Sequence, residues 1–380
     1  MEMKFENNSE IVIKDTASFH TLREQGLKDK KCTFQGINFI QEEVDWKELE
    51  LANCCFFGCQ LTKEDQLYLL RQGAHILSTP DNLPYRPFRN ELYAFTELMA
   101  GYSPEADNSY DLKIYNHFSK NRFNPPMAEA LWQRIHDHSI DEALRELLQF
   151  DENGMTQRKC VGFMGGHSTK RTDPFFRKMA HTAKLTAEAG YLVVSGGGPG
   201  IMEASNLGAY FAGRSAKDLD DAIDLLCEAS SYKDKSYHEK ALQVIEKYPN
   251  GAESLAIPTW FYGHEPSNLF STKIAKYFSN SIREDTLLAV CLYGIVYAPG
   301  SAGTTQEVFQ EATQNHYGTF NYYSPMVFLG IERYEVQTLI YPLLRQLAWG
   351  REYFDMLHLT DEPAEVVKFI EKHPPKKKDS

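Results

Sequence analysis

Two glycine-rich segments of this 380-residue chain combine residue types that can hold an anionic ligand at the start of a helix. Residues 195–203 read Ser-Gly-Gly-Gly-Pro-Gly-Ile-Met-Glu, and residues 299–307 read Pro-Gly-Ser-Ala-Gly-Thr-Thr-Gln-Glu. Glycine lets a backbone approach a ligand closely, and the free amides of a helix start attract phosphate. Hydroxyl groups in the second segment add further donors. Both segments are therefore candidate phosphate cradles.

Each segment also has a purely structural interpretation. A strand-to-helix turn uses glycine and a first-turn proline such as Pro199 whether or not a ligand binds. Thr304 and Glu307 have the spacing of a capping box, in which Glu307 only returns a hydrogen bond to the helix start. The first segment is not the dinucleotide GxGxxG motif, because no acidic partner follows a strand at the expected distance. Two cradles in one sheet are more than packing requires, which favours a ligand.

From Arg158 onward, short apolar runs alternate with glycine turns and helical patterns, and this alternation predicts a parallel sheet with helices on both faces. We expect an α/β fold with a Rossmann-like doubly wound sheet. Ligands in such sheets bind at the carboxyl ends of strands. The expected strands are residues 160–164, 191–195, 254–258, 294–298 and 325–330, and the expected helices are residues 174–190, 201–212, 282–291 and a helix from 304.

The catalytic domain is expected over residues 151–335, with a helical insertion at about 214–250. Residues 1–150 are expected to form an additional α+β N-terminal domain of unknown role, ending at the polar segment 151–157. Residues 336–380 are expected to be a short helical C-terminal extension with a charged tail.

Composition excludes several function classes. With 40 Lys+Arg against 52 Asp+Glu, the net charge is −12, which disfavours nucleic acid polymers and anionic membranes as partners. The apolar run 287–298 is too short to span a bilayer, and the N-terminus lacks a signal peptide pattern, so a cytoplasmic location is expected. Cys54, Cys55 and Cys59 lack a second ligand pair at zinc spacing and are interpreted as packed thiols.

Together, SGGGPGIMEA at 195–204 and PGSAGTTQE at 299–307 resemble the Lonely Guy family of phosphoribohydrolases, whose hallmarks are a GGG turn and a PGGxGTxxE motif. The GGGPGxMEA form is more similar to its relatives, the pyrimidine/purine nucleotide 5′-monophosphate nucleosidases. Glu265-Pro-Ser-Asn268 stands where those proteins carry an EPPN-like segment. The resemblance covers residues 158–330. It implies hydrolysis of nucleoside 5′-monophosphates to free base and ribose 5-phosphate, a homodimer or higher homo-oligomer, and neither metal nor organic cofactor.

The resemblance also implies roles for individual residues. Glu307 would contact the ribose and assist cleavage. Arg283 would lie near the ribose, where it could pair with the phosphate or orient Glu307, and Glu203 or Glu265 would be a possible second acid. The residues implied to bind phosphate and ribose are Gly196, Gly197, Gly198, Gly300, Ser301, Gly303, Thr304 and Thr305, and those implied on the base side are Gly166, His167 and Ser168. Ser301 departs from the family's second glycine, and the 214–250 insertion could reshape the base pocket.

The implied chemistry suits these residue types. Breaking an N-glycosidic bond develops positive charge on the ribose, which a carboxylate stabilises while positioning the attacking water. Two alternatives stay open. One is a nucleotide-binding sensor with the same fold and no turnover. The other is a cytokinin-activating phosphoribohydrolase, which runs the same reaction on N6-substituted adenosine monophosphates.

Overall fold

The computed structural model describes residues 11–25, 31–42, 44–49, 51–80, 82–151 and 154–378. The chain divides into two compact units, one of residues 1–90 with 127–139 and the other of residues 91–126 with 140–380. Sequence analysis placed the boundary at 151–157 instead. The predictions for the N-terminal ten residues, for residues 152–153 of that boundary and for the last two residues of the charged tail lie outside the described residues.

The first unit is built around a four-stranded parallel sheet whose strands neighbour one another in chain order. A similar sequence occurs at the second and third strands, Cys-Thr-Phe-Gln-Gly from residue 32 and Cys-Cys-Phe-Phe-Gly from residue 54. The strands and helices of this sheet are β1 (Ile11–Ile13), α1 (Thr16–Gln25), β2 (Cys32–Gln35), β3 (Cys55–Phe57), α2 (Lys63–Arg71) and β4 (His75–Leu77).

Equivalent side chains of this repeat stack in a column through the core of the first unit. Ile13 is paired with Phe34 and Phe34 with Phe56, and all three are fully buried. The rings of Phe34 and Phe56 are stacked at a centroid distance of 4.5 Å. Cys54 and Cys59 are buried in the same core, and the Cys59 Sγ donates to the Phe34 carbonyl at 3.3 Å. These thiols therefore pack as core side chains.

Along the chain, β4 is followed before β7 by α3 (Phe95–Leu98), β5 (Tyr102–Ser103), β6 (Ala106–Asp107), α4 (Tyr110–Ser119) and α5 (Met127–Leu148). Residues 91–126 group with the second unit, although sequence analysis assigned them to the N-terminal domain. Ser109 caps α4, since its side chain accepts a hydrogen bond from the Leu112 amide. The second unit thus includes a helix that comes from the N-terminal third of the chain.

The second unit contains a seven-stranded sheet, and each neighbouring pair in it is parallel. Its order is β10-β9-β8-β7-β11-β13-β14, where the strands are β7 (Cys160–Met164), β8 (Leu192–Ser195), β9 (Leu255–Ala256), β10 (Lys273–Ile274), β11 (Ile295–Tyr297), β13 (Met326–Leu329) and β14 (Leu357–Thr360). Two short strands outside it, β12 (Tyr322–Tyr323) and β15 (Lys376–Lys377), pair with each other.

Helices cover both faces of this sheet. Val161 and Val296 face a core shared with the helices that follow β7 and β8, whereas Tyr297 faces the helix that follows β11. The helices are α6 (Pro174–Glu188), α7 (Ile201–Tyr210), α8 (Ala216–Cys227), α9 (Tyr237–Lys247), α10 (Asn280–Ala289), α11 (Ala302–Tyr317), α12 (Ile340–Leu347) and α13 (Pro363–Lys372). The predicted doubly wound α/β fold is therefore confirmed.

The strand order fixes where a ligand can bind. From β7 the chain adds strands on one side as far as β10 and then crosses to β11 on the other side. The loops after β7 and β11 consequently diverge at the carboxyl end of the sheet, which is the usual ligand crevice of such folds. The C-terminal extension contains the expected helices and also supplies the edge strand β14. In the described part of the chain, we find no helix long and apolar enough to cross a membrane.

Candidate functional site

The loops after β7 and β11 meet directly at the switch point of the large sheet. The Gly166 amide donates to the Pro299 carbonyl at 3.1 Å, and the Gly166 carbonyl accepts from the Ile201 amide at 3.1 Å. A cleft of about 380 Å³ opens beside this junction. Its lining residues are Gly166, Ser168, Thr169, Phe175, Pro299, Gly300, Ser301, Glu332, Arg333 and Gln337.

Helix α11 begins in this cleft. Ser301 is its N-cap residue, and no side-chain capping bond forms there among the described residues. The capping-box interpretation of Glu307 is therefore wrong, because the helix starts two residues before Thr304. The first amides of a helix lack partners within it, so those of α11 are available to an anion. The φ of Ser301 is −110°, outside the left-handed region that favours glycine.

Gly300 and Gly303 differ in what surrounds them. A Cβ on Gly300 would lie 2.0 Å from the Thr304 Oγ1, so close packing within the turn requires glycine there. Apart from its chain neighbours and the backbone of its own helix, no atom of the described residues would lie within 4 Å of a Cβ on Gly303, and Gly303 is not in the left-handed region. Neither packing nor backbone conformation therefore explains why residue 303 is a glycine. The Thr305 hydroxyl donates to the Ser301 carbonyl at 3.0 Å, within its own helix.

Arg283 of α10 and Glu307 of α11 lie side by side. The Arg283 Nη1 is 3.9 Å from the Glu307 Oε1, and their side chains are 11% and 19% exposed. The Arg283 Nε is buried and makes no hydrogen bond within the described chain. The arginine therefore keeps donor capacity beside the carboxylate.

Burial raises the pKa of Glu307 to about 7, against the opposing effect of Arg283 and with a further increase from Glu284. Glu307 can thus change its charge near neutral pH. Glu311, one turn further along α11, is also buried, and its pKa is raised to about 8. The Asn315 side-chain amide donates to Glu311 at 3.3 Å.

Two side-chain bridges fix α10 against α11. The Gln306 amide donates to the Glu284 Oε2 at 2.9 Å, and the Gln310 amide donates to the Asp285 Oδ1 at 2.7 Å. Because these bridges flank Glu307 in sequence, they fix the relative position of the two helices where Arg283 faces the carboxylate.

Arg333 is a cleft residue that sequence reasoning did not identify. It lies in the π-helical turn Glu332–Gln337 after β13, and its Nη2 donates to the Gly300 carbonyl at 2.6 Å. A guanidinium carries five N–H donors, so several remain for an anion in the cleft. The sequence signal was weak, because Arg333 stands outside both glycine motifs.

The GGG turn lies apart from the lining of this cleft. Gly196, Gly197 and Gly198 are buried, and the Gly197 amide donates to the Ser195 hydroxyl at 3.0 Å. A Cβ on Gly198 would lie 2.7 Å from the Glu265 Oε2, so Glu265 contacts this turn. The turn connects to the cleft through the bond between Ile201 and Gly166.

Glu203 is enclosed in a buried ion pair. The Arg171 Nε and Nη2 donate to its two carboxylate oxygens at 2.9 and 2.5 Å, and the Tyr237 hydroxyl donates at 2.7 Å. The Glu203 side chain is 4% exposed. With its oxygens engaged in this way, Glu203 acts as a structural carboxylate. Glu265, by contrast, lies against the GGG turn.

The same arginine ties the insertion to the loop after β7. The Arg171 amide donates to the Ser230 carbonyl at 2.9 Å, and its guanidinium lies 3.6 Å from the centre of the Tyr237 ring. His167 is exposed, and its ring is 6.4 Å from the Tyr232 ring of the insertion. The insertion therefore reaches the side of the site that was assigned to the base. Among the described residues, no group of His, Cys, Asp or Glu is arranged to hold a metal.

The Arg171–Glu203 pair generates a stability prediction. Glu203→Gln leaves a buried guanidinium without its counter-charge and should destabilise the second unit by about 3–5 kcal/mol. Replacing both charges, as in Arg171→Met with Glu203→Leu, should cost less than Glu203→Gln alone. Urea unfolding at pH 7 measures both, with the exposed-pair variant Asp221→Asn as a control of little effect. The pairing would be contradicted if the double variant lost as much stability as Arg171→Met and Glu203→Leu lose together when each is measured alone.

Comparisons with known proteins give structural similarity only. No protein-family model and no curated protein matches the chain. The chain is similar to the molybdenum cofactor carrier protein of Chlamydomonas reinhardtii, at 14% identity and a TM-score of 0.36 over 57% of this chain and 98% of that one. It is also similar to the molybdenum cofactor binding protein of the phototrophic bacterium Rippkaea orientalis, at 12% identity and a TM-score of 0.36 over 57% and 97%. Similarity at this level assigns no activity, so the relation to the nucleosidases stays a prediction from the motifs.

Proposed function

We propose that this chain hydrolyses the N-glycosidic bond of nucleoside 5′-monophosphates and releases a free base and ribose 5-phosphate. The observation that carries the proposal is the partly buried pair of Arg283 on α10 and Glu307 on α11, 3.9 Å apart, with the start of α11 bordering the cleft. That the active form is a homodimer or higher homo-oligomer stays a prediction.

The position of Gly303 supports a ligand on the N-terminal side of Glu307, at the first turn of α11. Residues four apart lie on the same face of a helix, and side chains point back towards its N-terminus. The Glu307 carboxylate is therefore directed towards the first turn, where Gly303 leaves open space. We interpret this space as room for the ribose, because no side chain of the described residues fills it.

The phosphate would bind at the start of the same helix, beside this space. The free amides of α11, the Ser168 hydroxyl and the guanidinium of Arg333 all border the cleft. Arg333 also fixes the orientation of the Gly300–Ser301 peptide through its bond to the Gly300 carbonyl. A phosphate held there would place the sugar along α11 in the direction of Glu307.

In the proposed reaction, the bond between C1′ and the base nitrogen breaks and its electron pair leaves with the base. Ionised Glu307 stabilises the positive charge that develops on the ribose and accepts a proton from the attacking water. The hydroxide equivalent forms the new bond to C1′, and the departing base takes up a proton. Arg283 orients Glu307 and keeps part of its population ionised at neutral pH. This scheme requires no cofactor.

The first prediction concerns activity. The pure protein incubated with AMP, GMP, CMP and UMP should release free base from at least one nucleotide, as measured by chromatography. Glu307→Gln should reduce kcat by about a hundredfold or more, because it removes the charge that stabilises the transition state. Glu335→Gln, which changes an exposed acid in the turn near the cleft, is the matched control and should remain active. Nucleotide binding without base release in the unaltered protein would identify a non-catalytic binder instead.

The second prediction concerns pH. Because ionised Glu307 is the active form and its pKa is about 7, kcat/KM should rise with pH through 7 and level off above about pH 8. Glu284→Gln removes a charge that raises this pKa, so the midpoint should move to lower pH. Asp285→Asn, its neighbour on α10, should leave the midpoint unchanged. A rate that falls through pH 7 would mean that protonated Glu307 is the active form.

The third prediction concerns Arg333. Loss of charge-assisted hydrogen bonds to phosphate in Arg333→Gln should raise KM for the nucleotide by about tenfold to a hundredfold. Arg333→Lys should recover part of the affinity, whereas Arg345→Gln on α12 should have no effect. Inorganic phosphate should become a weaker competitive inhibitor of Arg333→Gln, by about the same factor as KM rises. Unchanged phosphate competition in Arg333→Gln would exclude Arg333 as a phosphate ligand.

A further inference from the structure

Asp111 of α4 is a buried carboxylate that gathers donors from one distant segment of the chain. Its side chain is 1% exposed. It accepts hydrogen bonds from the Trp260 Nε1 at 2.7 Å, the Ser267 hydroxyl at 3.0 Å and the Lys276 Nζ at 2.9 Å. The His264 Nε2 lies 3.6 Å away. Although burial alone raises it, Lys276 and His264 hold the pKa of Asp111 well below its usual range.

All of these partners belong to residues 260–276. This segment follows β9, contains β10 and ends two residues after it. Trp260 and Lys276 stand at its two ends, and the backbone amide of Trp260 donates to the Tyr277 carbonyl at 3.0 Å. Ser267 comes from the middle. Asp111 therefore contacts the ends and the middle of the segment at once, which limits how the middle can move relative to the ends.

The middle of this segment carries the residues that meet the GGG turn. The Glu265 carboxylate contacts Gly198. The Asn268 side-chain amide donates to the Asn206 Oδ1 at 2.8 Å and to the Met202 carbonyl at 3.3 Å, both on α7. Few residues of the segment are in regular secondary structure, so ordering it costs about 1–2 kcal/mol per residue that side-chain contacts must offset.

We propose that Asp111 is a positioning residue that holds the 260–276 segment against the GGG turn and thereby places Glu265 for contact with the nucleotide. The inference rests on the proposed function. It assigns a task to a residue that lies in the N-terminal third of the chain and outside every motif. Glu265 would accept hydrogen bonds from N–H or O–H groups of the ligand.

The kinetic test is a double-mutant cycle. Asp111→Asn should raise KM for the nucleotide about tenfold or more and change kcat much less, since a displaced Glu265 weakens binding. Glu265→Gln should raise KM similarly, and the double variant should be no worse than the poorer single variant. Asp141→Asn, which removes the charge of the carboxylate that accepts from the Tyr277 hydroxyl, is the matched control. Strictly additive KM effects, or a lowered Tm with unchanged KM, would overturn the proposal.

A second measurement does not depend on turnover. Hydrogen exchange of the amides of residues 261–268 should accelerate about tenfold or more in Asp111→Asn, while the strands of the large sheet keep their protection. If Asp111→Asn fails to fold, Trp260→Phe and Ser267→Ala each remove one donor and should give smaller increases in the same segment. Unchanged exchange there would refute the anchoring role. Absence of hydrolysis in the unaltered protein would instead refute the proposed function.

Discussion

The hydrogen bond from the Gly166 amide to the Pro299 carbonyl is the contact on which the rest of the site depends. It joins two loops that the strand order would otherwise carry apart. Because the Gly166 carbonyl also accepts from Ile201, this one residue links the starts of α7 and α11. The cleft, the free end of α11 and the GGG turn are therefore parts of one connected structure, although they come from separated stretches of the chain.

Buried charge is treated in two ways in the second unit. Glu203 and Asp111 are surrounded by donors, and each makes an ion pair with a buried base. Glu311 is buried and Glu307 is partly buried, each with much less compensation, and burial raises the pKa of both. The first arrangement stabilises the fold, because each charge is matched. The second destabilises the ionised form, which is the condition that a proton-transferring carboxylate needs near neutral pH.

The sequence predicted features that depend on local patterns. The glycine turns, the alternation of strands and helices after Arg158 and the insertion could be identified because each is encoded within a few neighbouring residues. The pairing of Arg283 with Glu307 was predicted from the family motifs. Arg333 and Asp111 were missed, since their roles arise from contacts with residues that are 33 or more positions away. The parallel repeat of the first unit was also missed, although Cys-x-Phe-x-Gly recurs at residues 32 and 54.

Gly303 carries a consequence for the evolution of the chain. Glycine within a helix lowers the stability of the fold by up to about 1 kcal/mol relative to alanine. Beyond its chain neighbours and the backbone of its own helix, the Cβ of an alanine would meet no described atom at this position. Selection for stability alone would thus replace it. A duplicated copy that had lost its ligand should accumulate alanine or serine at position 303 before it changes at Gly300, where the Thr304 hydroxyl leaves no room. The residue at position 303 would then distinguish homologues that still bind the ligand from homologues that have lost this function.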